Sequence, residues 1–385
     1  MNLSFIRAIR ALFSCICLII LLGGKSYSKS LIIYQDNRDV LNEKLARIIK
    51  SNSIPQFQLN YSEPNFKYEV GIINPYFLDT AASAIVAVNE DDSTAIFQAA
   101  SLSKVLFACI VLRMYERGEI DLDMPLYKYT DIDRFVDKEK AKKLTARIIL
   151  QHRTGIKNWC ASPSSDEWPT SPITFIREVD SCFGYSGEGI AFLQRAVESI
   201  KKKPIQKIAE EEIFIPLRMR HTAYDWIPCY DSLAVPGHNS EGVNRGTRKG
   251  LKANTAYTLR TNAKEYAYFL DMLFFGDLLK PQTKEMMFTP NKMNAIYNQQ
   301  KPRLCDYKMY WGLGIGIEKN ENHGDILWHW GDNGNFKALF IYIPKEKKRL
   351  VYFTNSAHGH DIIDSITSLF FNDLQPFYIS SWINN

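Results

Sequence analysis

Apolar residues occupy nearly every position from 102 to 112, directly after Ser101 and around Lys104. Because no face of this stretch is polar, the pattern predicts a helix inside the domain over residues 101–117. Gly118 supplies its C-terminal stop. Ser101 and Lys104 are three residues apart, nearly one helical turn, so the sequence places two polar side chains together at the start of a buried helix.

Short apolar runs bounded by turn residues predict strands toward both ends of the chain. The predicted strands cover residues 82–88, 95–98, 312–317, 326–329, 336–343 and 349–354. The first two are joined by a polar turn, and together they predict a hairpin that leads into Ser101. Helical patterns cover residues 40–50, 144–151, 172–179, 189–201, 204–213, 262–273, 281–287 and 361–371.

This order of elements predicts an α+β fold. We expect a single antiparallel sheet built from N- and C-terminal strands, flanked by helices, with a mostly helical region at about residues 101–300 inserted between the strands. No internal repeat or low-complexity linker interrupts the chain. We divide it into a signal peptide (1–28), an N-terminal extension (29–78), one main domain (79–375) and a C-terminal tail (376–385).

Residues 1–28 have the pattern of an export signal. Arg7 and Arg10 precede an apolar core at residues 11–22, and small residues at 26–28 suit a cleavage site. A membrane-spanning helix needs about 20 apolar residues, more than this core offers. We therefore expect an exported protein, periplasmic or secreted, that meets a membrane only through its export signal.

The charge balance excludes a nucleic-acid partner. The whole chain carries a net charge of +5, but three of its basic residues and none of its acidic residues lie in the export signal. The mature chain is therefore close to neutral, and no cluster of lysine and arginine is interleaved with aromatic residues. We expect a small-molecule or peptide substrate, while the sequence does not determine the oligomeric state.

Cysteines and histidines give no sign of a metal site. Five cysteines follow the export signal, and of these Cys160 and Cys182 flank one loop and form the favoured disulfide pair. No spacing matches a zinc site. The His358-Gly359-His360-Asp361 segment has ligand-type side chains, but it lies in a polar loop before the last predicted helix. We therefore predict no metal and no organic cofactor.

Two interpretations of Ser101 and Lys104 stand side by side. The lysine amine could accept the serine proton, which would make Ser101 a nucleophile. Alternatively, Ser101 only caps the helix and Lys104 reaches solvent. Ser199 and Lys202 have the same spacing in a basic helix end with no other sign of chemistry. The spacing alone therefore does not decide between them.

Six segments in order carry a family resemblance. They are residues 97–104, 118–123, 144–156, 215–222, 259–266 and 311–314. Together they resemble the serine β-lactamase and penicillin-binding family, in particular its class C β-lactamases, D-alanyl-D-alanine carboxypeptidases and related esterases. The resemblance implies a β-lactamase/transpeptidase-like domain in which Ser101 attacks a carbonyl carbon and Lys104 and Tyr185 carry the proton. It also implies that His152 belongs to a structural turn beside the site.

The resemblance is incomplete at the substrate pocket. In the family's Tyr-x-Asn motif, Tyr185 is present but Gly187 replaces the asparagine. The Lys-Thr-Gly or His-x-Gly motif corresponds to His329-Trp330-Gly331, where His329 would polarise the site or donate a hydrogen bond and Trp330 replaces a hydroxyl residue. The implied oxyanion donors are the N–H groups of Ser101 and Asp332.

These replacements decide which substrates the sequence predicts. We expect an exported serine hydrolase acting through a Ser101 acyl-enzyme on an ester or amide: a cell-wall D-amino-acid peptide, an ester or a β-lactam. Since Gly187 and Trp330 alter substrate recognition, an esterase or peptidase is favoured over a true β-lactamase. The alternative is a catalytically idle protein that senses or binds cell-wall peptides.

Overall fold

The computed structural model describes residues 32–33, 39–77, 95–371 and 376–384. The export signal predicted at residues 1–28 and the predicted strand at 82–88 lie outside these ranges. In the described part of the chain, no helix combines the length and apolar character needed to span a membrane.

The described strands form one antiparallel sheet of eight strands and a separate pair of short strands. The large sheet has the order β1-β3-β2-β10-β9-β8-β7-β6, and β4 pairs with β5. The strands are β1 (Ile32–Ile33), β2 (Gln56–Glu63), β3 (Phe66–Ile73), β4 (Phe97–Gln98), β5 (Arg260–Thr261), β6 (Met309–Trp311), β7 (Gly316–Asn320), β8 (Gly324–Asp332), β9 (Lys337–Ile343) and β10 (Lys348–Thr354). N- and C-terminal strands therefore share one sheet, which confirms the predicted α+β fold.

Helices cover both faces of the large sheet. They are α1 (Asp39–Ser51), α2 (Ser103–Glu116), α3 (Lys138–Ala141), α4 (Ala146–Leu150), α5 (Gly187–Lys201), α6 (Ile205–Ala209), α7 (Tyr230–Leu233), α8 (Ala263–Phe274), α9 (Pro281–Phe288), α10 (Ile363–Phe371) and α11 (Tyr378–Asn384). Short 3₁₀ turns lie at Pro75–Phe77, Ala100–Leu102, Leu126–Lys128, Trp168–Thr170 and Leu304–Lys308. A π-helical turn, Glu210–Phe214, continues α6.

Two hydrophobic cores lie on opposite faces of the sheet. One contains α2, α5 and α8, and α2 is buried on nearly every side, as its sequence predicts. The other contains side chains of α1, α10 and α11. Because α2 lies between the sheet and the other helices, its first turn can bring polar side chains to the end of β8.

Residues 29–78, predicted to be an N-terminal extension, contribute three strands to the large sheet. β2 pairs with β10 along most of its length, β3 pairs with β2, and β1 pairs with β3. Pro55 and Pro64 lie just outside β2, where proline is tolerated. These two prolines therefore mark the ends of β2.

The helix predicted at residues 172–179 is wrong. These residues are not helical, because Ile173 and Phe175 form bridges with Phe135 and Ile156 instead. These β-branched and aromatic side chains suit an extended backbone. The predicted strand at 95–98 contains β4, which pairs with β5, while its predicted hairpin partner at 82–88 lies outside the described residues.

Candidate active site

Ser101 and Lys104 meet at the entry to α2. Lys104 Nζ lies 3.0 Å from Ser101 Oγ and donates a hydrogen bond of 2.6 Å to the carbonyl oxygen of Ala256. Lys104 is 2% exposed, and this burial lowers the pKa of its amine to about 7. An amine with this pKa is largely able to accept a proton near neutral pH, and the hydroxyl of Ser101 is its nearest proton source.

The backbone before Ser101 is strained. Ala100 has φ +48°, a left-handed conformation that residues with a side chain adopt rarely. Ser103 holds this turn, since its hydroxyl donates to the Ala100 carbonyl at 2.5 Å and accepts from the Leu259 N–H at 3.1 Å. The strain is therefore fixed by a neighbouring segment, and it presents Ser101 away from the regular helix that follows.

Tyr185 lies beside this pair with its ring enclosed. Its ring centroid is 4.3 Å from that of His152 and 4.7 Å from that of Trp330, and Lys104 Nζ lies 4.8 Å from it. Its hydroxyl is buried and has no hydrogen-bond partner among the described residues. Burial raises the pKa of Tyr185 above its ordinary range, and the nearby Ser101 side chain only partly opposes this effect.

These contacts change the expected role of the phenol. A charged Lys104 could favour ionised Tyr185, but here the amine lies over the ring and burial dominates the pKa. The phenol is therefore protonated near neutral pH. It can give a proton or a hydrogen bond, whereas Lys104 is the group that can accept one.

His152 fixes the segment that carries Tyr185. Its Nδ1 accepts a hydrogen bond of 3.1 Å from the Ser186 N–H, and its carbonyl accepts one of 2.7 Å from the Gly184 N–H. Burial, with the nearby Lys104 and His329, lowers the pKa of His152 well below its usual value. The imidazole is therefore neutral, consistent with the predicted structural role.

The end of β8 forms the opposite wall. β8 pairs with β9 as far as Asp332, but its pairing with β7 ends at Trp328, so residues 329–332 keep a free edge among the described strands. A Cβ atom placed on Gly331 would lie 2.4 Å from the carbonyl oxygen of Ala99. The absent side chain at Gly331 is therefore what lets the Ser101 turn pack directly against β8.

His329 is a hydrogen-bond acceptor at this site. It is fully buried, and its Nδ1 lies 2.7 Å from the carbonyl oxygen of Trp330, which fixes the proton on Nδ1. Burial and the charge of Lys104 lower the pKa of His329 to about 3, so the ring is neutral. Its Nε2 is buried with no partner among the described residues and carries the free lone pair. This tautomer presents an acceptor at Nε2, and the role of His329 in polarising the site or donating a hydrogen bond stays a prediction.

Asp332 ends β8 with its carboxylate already paired. One oxygen lies 2.6 Å from Lys337 Nζ and accepts a hydrogen bond of 2.7 Å from the Gly334 N–H. The side chain is thus tied to the turn between β8 and β9. The backbone N–H of Asp332 as an oxyanion donor stays a prediction.

The sequence and the fold can now be compared with known proteins. The sequence model of the beta-lactamase family matches residues 85–366. The chain belongs to the beta-lactamase family. The comparison with curated protein sequences gives no match.

Solved structures of three beta-lactamase-like proteins have a similar fold. A D-stereospecific amidohydrolase from Streptomyces sp. has a TM-score of 0.67 at 15% identity, over 88% of this chain and 100% of that chain. The D-alanine carboxypeptidase AmpC from Burkholderia cenocepacia has a TM-score of 0.66 at 15% identity, over 83% and 93% of the two chains. An octameric penicillin-binding protein homologue from Pyrococcus abyssi has a TM-score of 0.66 at 17% identity, over 87% and 77%.

Gly187 marks a departure from the beta-lactamase family motif, and the structure gives the reason. A Cβ atom at Gly187 would lie 2.3 Å from the indole of Trp159, so that indole occupies the space of any side chain there. The Gly187 N–H donates to the Asn158 side chain at 2.8 Å. Trp159 continues into an aromatic wall, with its ring 5.7 Å from those of Trp168 and Tyr257.

A cavity of about 770 Å³ lies beyond this wall. Trp168, Tyr257, Arg134 and Glu198 are among its lining residues, whereas Ser101 is not. Trp168 and Tyr257, which line this cavity, also contact Trp159, so the aromatic wall borders it. Ser101, Lys104 and Tyr185 are not among the residues that line this cavity.

Three neighbours of the site had no signal in the sequence. Ala256 acts through its carbonyl, which no side-chain pattern reveals. Trp159 is distant in sequence from the motifs, and only the missing side chain at Gly187 hints that something replaces it. Trp382 packs on Trp330 from a segment predicted to be a tail, which is in fact helix α11.

The predicted disulfide is wrong. Cys160 and Cys182 are both free thiols. The Cys160 N–H contacts the buried carboxylate of Glu188, while the Cys182 sulfur contacts the hydroxyl of Ser181. Nearness across a loop is thus not enough, because a disulfide needs both Cβ atoms to face each other at short range.

In the His358-Gly359-His360-Asp361 segment, both histidine side chains contact other groups of this chain. His358 Nδ1 lies 2.7 Å from the Asp361 carboxylate, and His360 Nε2 lies 3.4 Å from the Ala338 carbonyl. Among the described residues, no group of three or more histidine, cysteine, aspartate or glutamate side chains is arranged to hold a metal ion.

Proposed function

We propose that the protein is an exported serine hydrolase that forms an acyl-enzyme through Ser101. The observation that carries the proposal is the 3.0 Å contact between Ser101 Oγ and a buried amine, that of Lys104, whose pKa is lowered to about 7. Membership of the beta-lactamase family supports the same chemistry. The export signal predicted at residues 1–28 supports a periplasmic or secreted location.

The first half of the reaction forms the acyl-enzyme. Ser101 Oγ attacks the carbonyl carbon of the substrate as its proton passes to neutral Lys104 Nζ. The N–H groups of Ser101 and Asp332 stabilise the oxyanion of the tetrahedral intermediate. When the intermediate collapses, the bond to the leaving group breaks, and a proton returns from Lys104 to the leaving group through the phenol of Tyr185.

The second half releases the product. Water attacks the acyl carbon, Lys104 takes its proton, and the bond to Ser101 Oγ breaks with return of that proton to the serine. Each step uses side chains and backbone groups of this chain. The protonated Tyr185 and the proton-accepting Lys104 have the complementary states that this cycle needs.

The pocket favours neutral esters and amides over substrates with a free carboxylate. Trp330 stands where relatives place a hydroxyl residue, and the Trp159 indole fills the space of the family's asparagine. Neither indole carries a charge, and each can offer a carboxylate only its single N–H. We therefore propose an esterase or D-peptidase, with D-amino-acid peptides of the cell wall as the peptide candidates and β-lactams as the poorer substrates.

Covalent labelling tests the proposal. We expect a fluorophosphonate to label the wild-type protein and to leave Ser101→Ala unlabelled, while the control Ser199→Ala is labelled like the wild type. Short acyl esters should be hydrolysed faster than a chromogenic cephalosporin, and the reverse order would overturn the substrate preference. No Ser101-dependent adduct with either the fluorophosphonate or a fluorescent penicillin would refute the acyl-enzyme and favour the idle binder.

A further inference from the structure

Helix α11 is held against the end of the large sheet at both of its ends. At its start, the fully buried carboxylate of Glu318 accepts a hydrogen bond of 2.9 Å from the Ile379 N–H. At its end, Arg303 donates to the carbonyl oxygens of Ser381 and Trp382 at 3.2 and 3.3 Å. Arg303 has the charge that the end of a helix favours, whereas Glu318, whose pKa burial raises to about 7, acts at the start as a hydrogen-bond acceptor. Since a helix this short is not stable alone, these contacts indicate that its position matters.

Trp382 connects this helix to the active site. It is 3% exposed, and its indole N–H donates to the Ala295 carbonyl at 3.0 Å. Its ring centroid lies 5.0 Å from that of Trp330, with the planes nearly perpendicular at 79°. Trp330 in turn packs on Tyr185 at 4.7 Å. One continuous series of ring contacts therefore runs from α11 to the phenol.

Tyr185 depends on this packing for its position. Its buried hydroxyl has no well-formed hydrogen bond to a described residue, and its polar neighbour is the side chain of Ser101, so the ring contacts are the main constraint on its position. His152 packs against the ring and is itself fixed by backbone hydrogen bonds. Trp330 also packs against the ring and is half-buried. Trp382 is the nearest of the four other described rings that hold Trp330, the others being His329, Trp328 and Trp311.

We propose that Trp382 is a positioning residue for Tyr185 and acts through Trp330, an inference that rests on the proposed hydrolase function. Trp382 holds Trp330 against the phenol ring, which keeps the phenol within reach of Ser101 and Lys104. The last helix of the chain thereby completes the active site without touching substrate.

Truncation of this ring tests the proposal. Trp382→Ala leaves a cavity beneath Trp330, and we expect kcat for a short acyl ester to fall about ten- to hundredfold, the usual cost of an ångström-scale displacement. KM should change less than about twofold, because Trp382 is distant from the substrate. Trp382→Phe keeps a ring in the same place and should recover most of the loss.

A double-mutant cycle separates positioning from general damage. In a Tyr185→Phe background, Trp382→Ala should lower kcat less than about twofold further, since the group that it positions is already absent. Ile383→Ala is the control, because it removes an apolar side chain from the same helix and leaves Trp382 in place. Thermal unfolding of each variant shows whether the domain is folded at the assay temperature.

The outcomes distinguish this proposal from the proposed function. Wild-type protein that neither labels at Ser101 nor turns over esters would overturn both. Normal wild-type activity with an unchanged kcat in Trp382→Ala would overturn the positioning role alone. Equal losses from Trp382→Ala with and without the Tyr185 hydroxyl would also overturn it, because Trp382 would then act on stability rather than through the phenol.

Discussion

Two serine–lysine pairs with the same spacing occur in this chain, and they lie in opposite environments. Ser101 and Lys104 enter α2, where the lysine is 2% exposed. Ser199 and Lys202 lie at the end of α5, where both side chains are exposed and Lys202 has left the helix with φ +52°. The two pairs thus have the same spacing in the sequence, but they differ in burial and in the end of the helix at which they lie.

The surroundings of the two pairs favour chemistry only at the first pair. At the start of a helix the free N–H groups favour negative charge, whereas at its end the free carbonyl groups favour positive charge. The first pair also meets β8 through Gly331 and the Ala256 carbonyl through Lys104. The second pair has no comparable described enclosure. The reactivity expected of a short motif therefore depends on whether its neighbours exclude solvent from it.

Removal of each lysine is the strongest test of this contrast. We expect Lys104→Met to lower the acylation rate about 10²–10⁴-fold, since it removes the general base. Lys202→Met should leave the rate unchanged. The kinetics of fluorophosphonate labelling measure the acylation rates of both variants. Similar rates for the two variants would show that the two pairs do not differ in function.

Crowding of the contact between Gly331 and the Ser101 turn should have the next largest effect on the acylation rate. In Gly331→Ala the new Cβ meets the Ala99 carbonyl at 2.4 Å, so the Ser101 turn has to move. We expect acylation to fall about 10²-fold and the free energy of unfolding to fall by about 1–3 kcal/mol. Gly184→Ala, which meets only the end of Arg177 at 3.4 Å, is the matched glycine control. Unimpaired labelling of Gly331→Ala would show that the close contact is dispensable.

The lowered pKa of Lys104 predicts a pH dependence of activity. As the pH rises through about 7, more of the amine is neutral, so acylation should rise about tenfold per pH unit below that value and level off above it. Initial rates measured between about pH 5 and pH 9 give this profile. A flat profile would mean that Lys104 does not act as the base.

The same pKa predicts the pH dependence of stability. Folding lowers the pKa of Lys104 from 10.5 to about 7, so between these values the unfolded chain binds more protons than the folded one. The stability of the wild type relative to Lys104→Met should therefore rise with pH across this window, by at most about 1.4 kcal/mol per unit. Denaturant unfolding at several pH values measures it, and a decrease with pH would contradict the sign.

The smallest expected effect concerns Gly187, in the part of the site expected to recognise substrate. Restoring the family's asparagine in Gly187→Asn forces the side chain into the Trp159 indole, and we expect a loss of about 1–3 kcal/mol in the free energy of unfolding. Gly187→Asn combined with Trp159→Ala should recover part of that loss. Thermal unfolding compares the variants, and equal stability of Gly187→Asn and wild type would show that the indole moves freely.

Periodic stretches of the fold were predictable from the sequence. The patterns for α1, α5, α8, α9 and α10 place each helix within two residues of its observed ends. β2 and β3 were missed although Phe57, Leu59 and Tyr61 alternate with polar residues in β2, because β10, the partner of β2, lies about 290 residues away in the sequence. Residues 172–179 were misassigned because local pattern does not reveal distant bridging partners. Elements that depend on a remote partner are the ones that local patterns fail to predict.

The candidate site divides in the same way. Ser101, Lys104 and Tyr185 were found from motif residues, and the structure brings them together. Their protonation states could not be predicted, because these depend on burial by segments far apart in the sequence. The contributions of the Ala256 carbonyl and the Trp159 ring were likewise invisible, since they arise from position rather than residue type.

The pairing of β2 with β10 has a consequence for the order in which this protein acquires activity. These neighbours come from opposite ends of the chain, so a ribosome completes almost the whole sequence before the sheet can close. The nucleophile is synthesised early, while the strand that packs against it emerges late and α11 later still. The proposed hydrolase activity is therefore expected only after β8, β10 and α11 have all been synthesised.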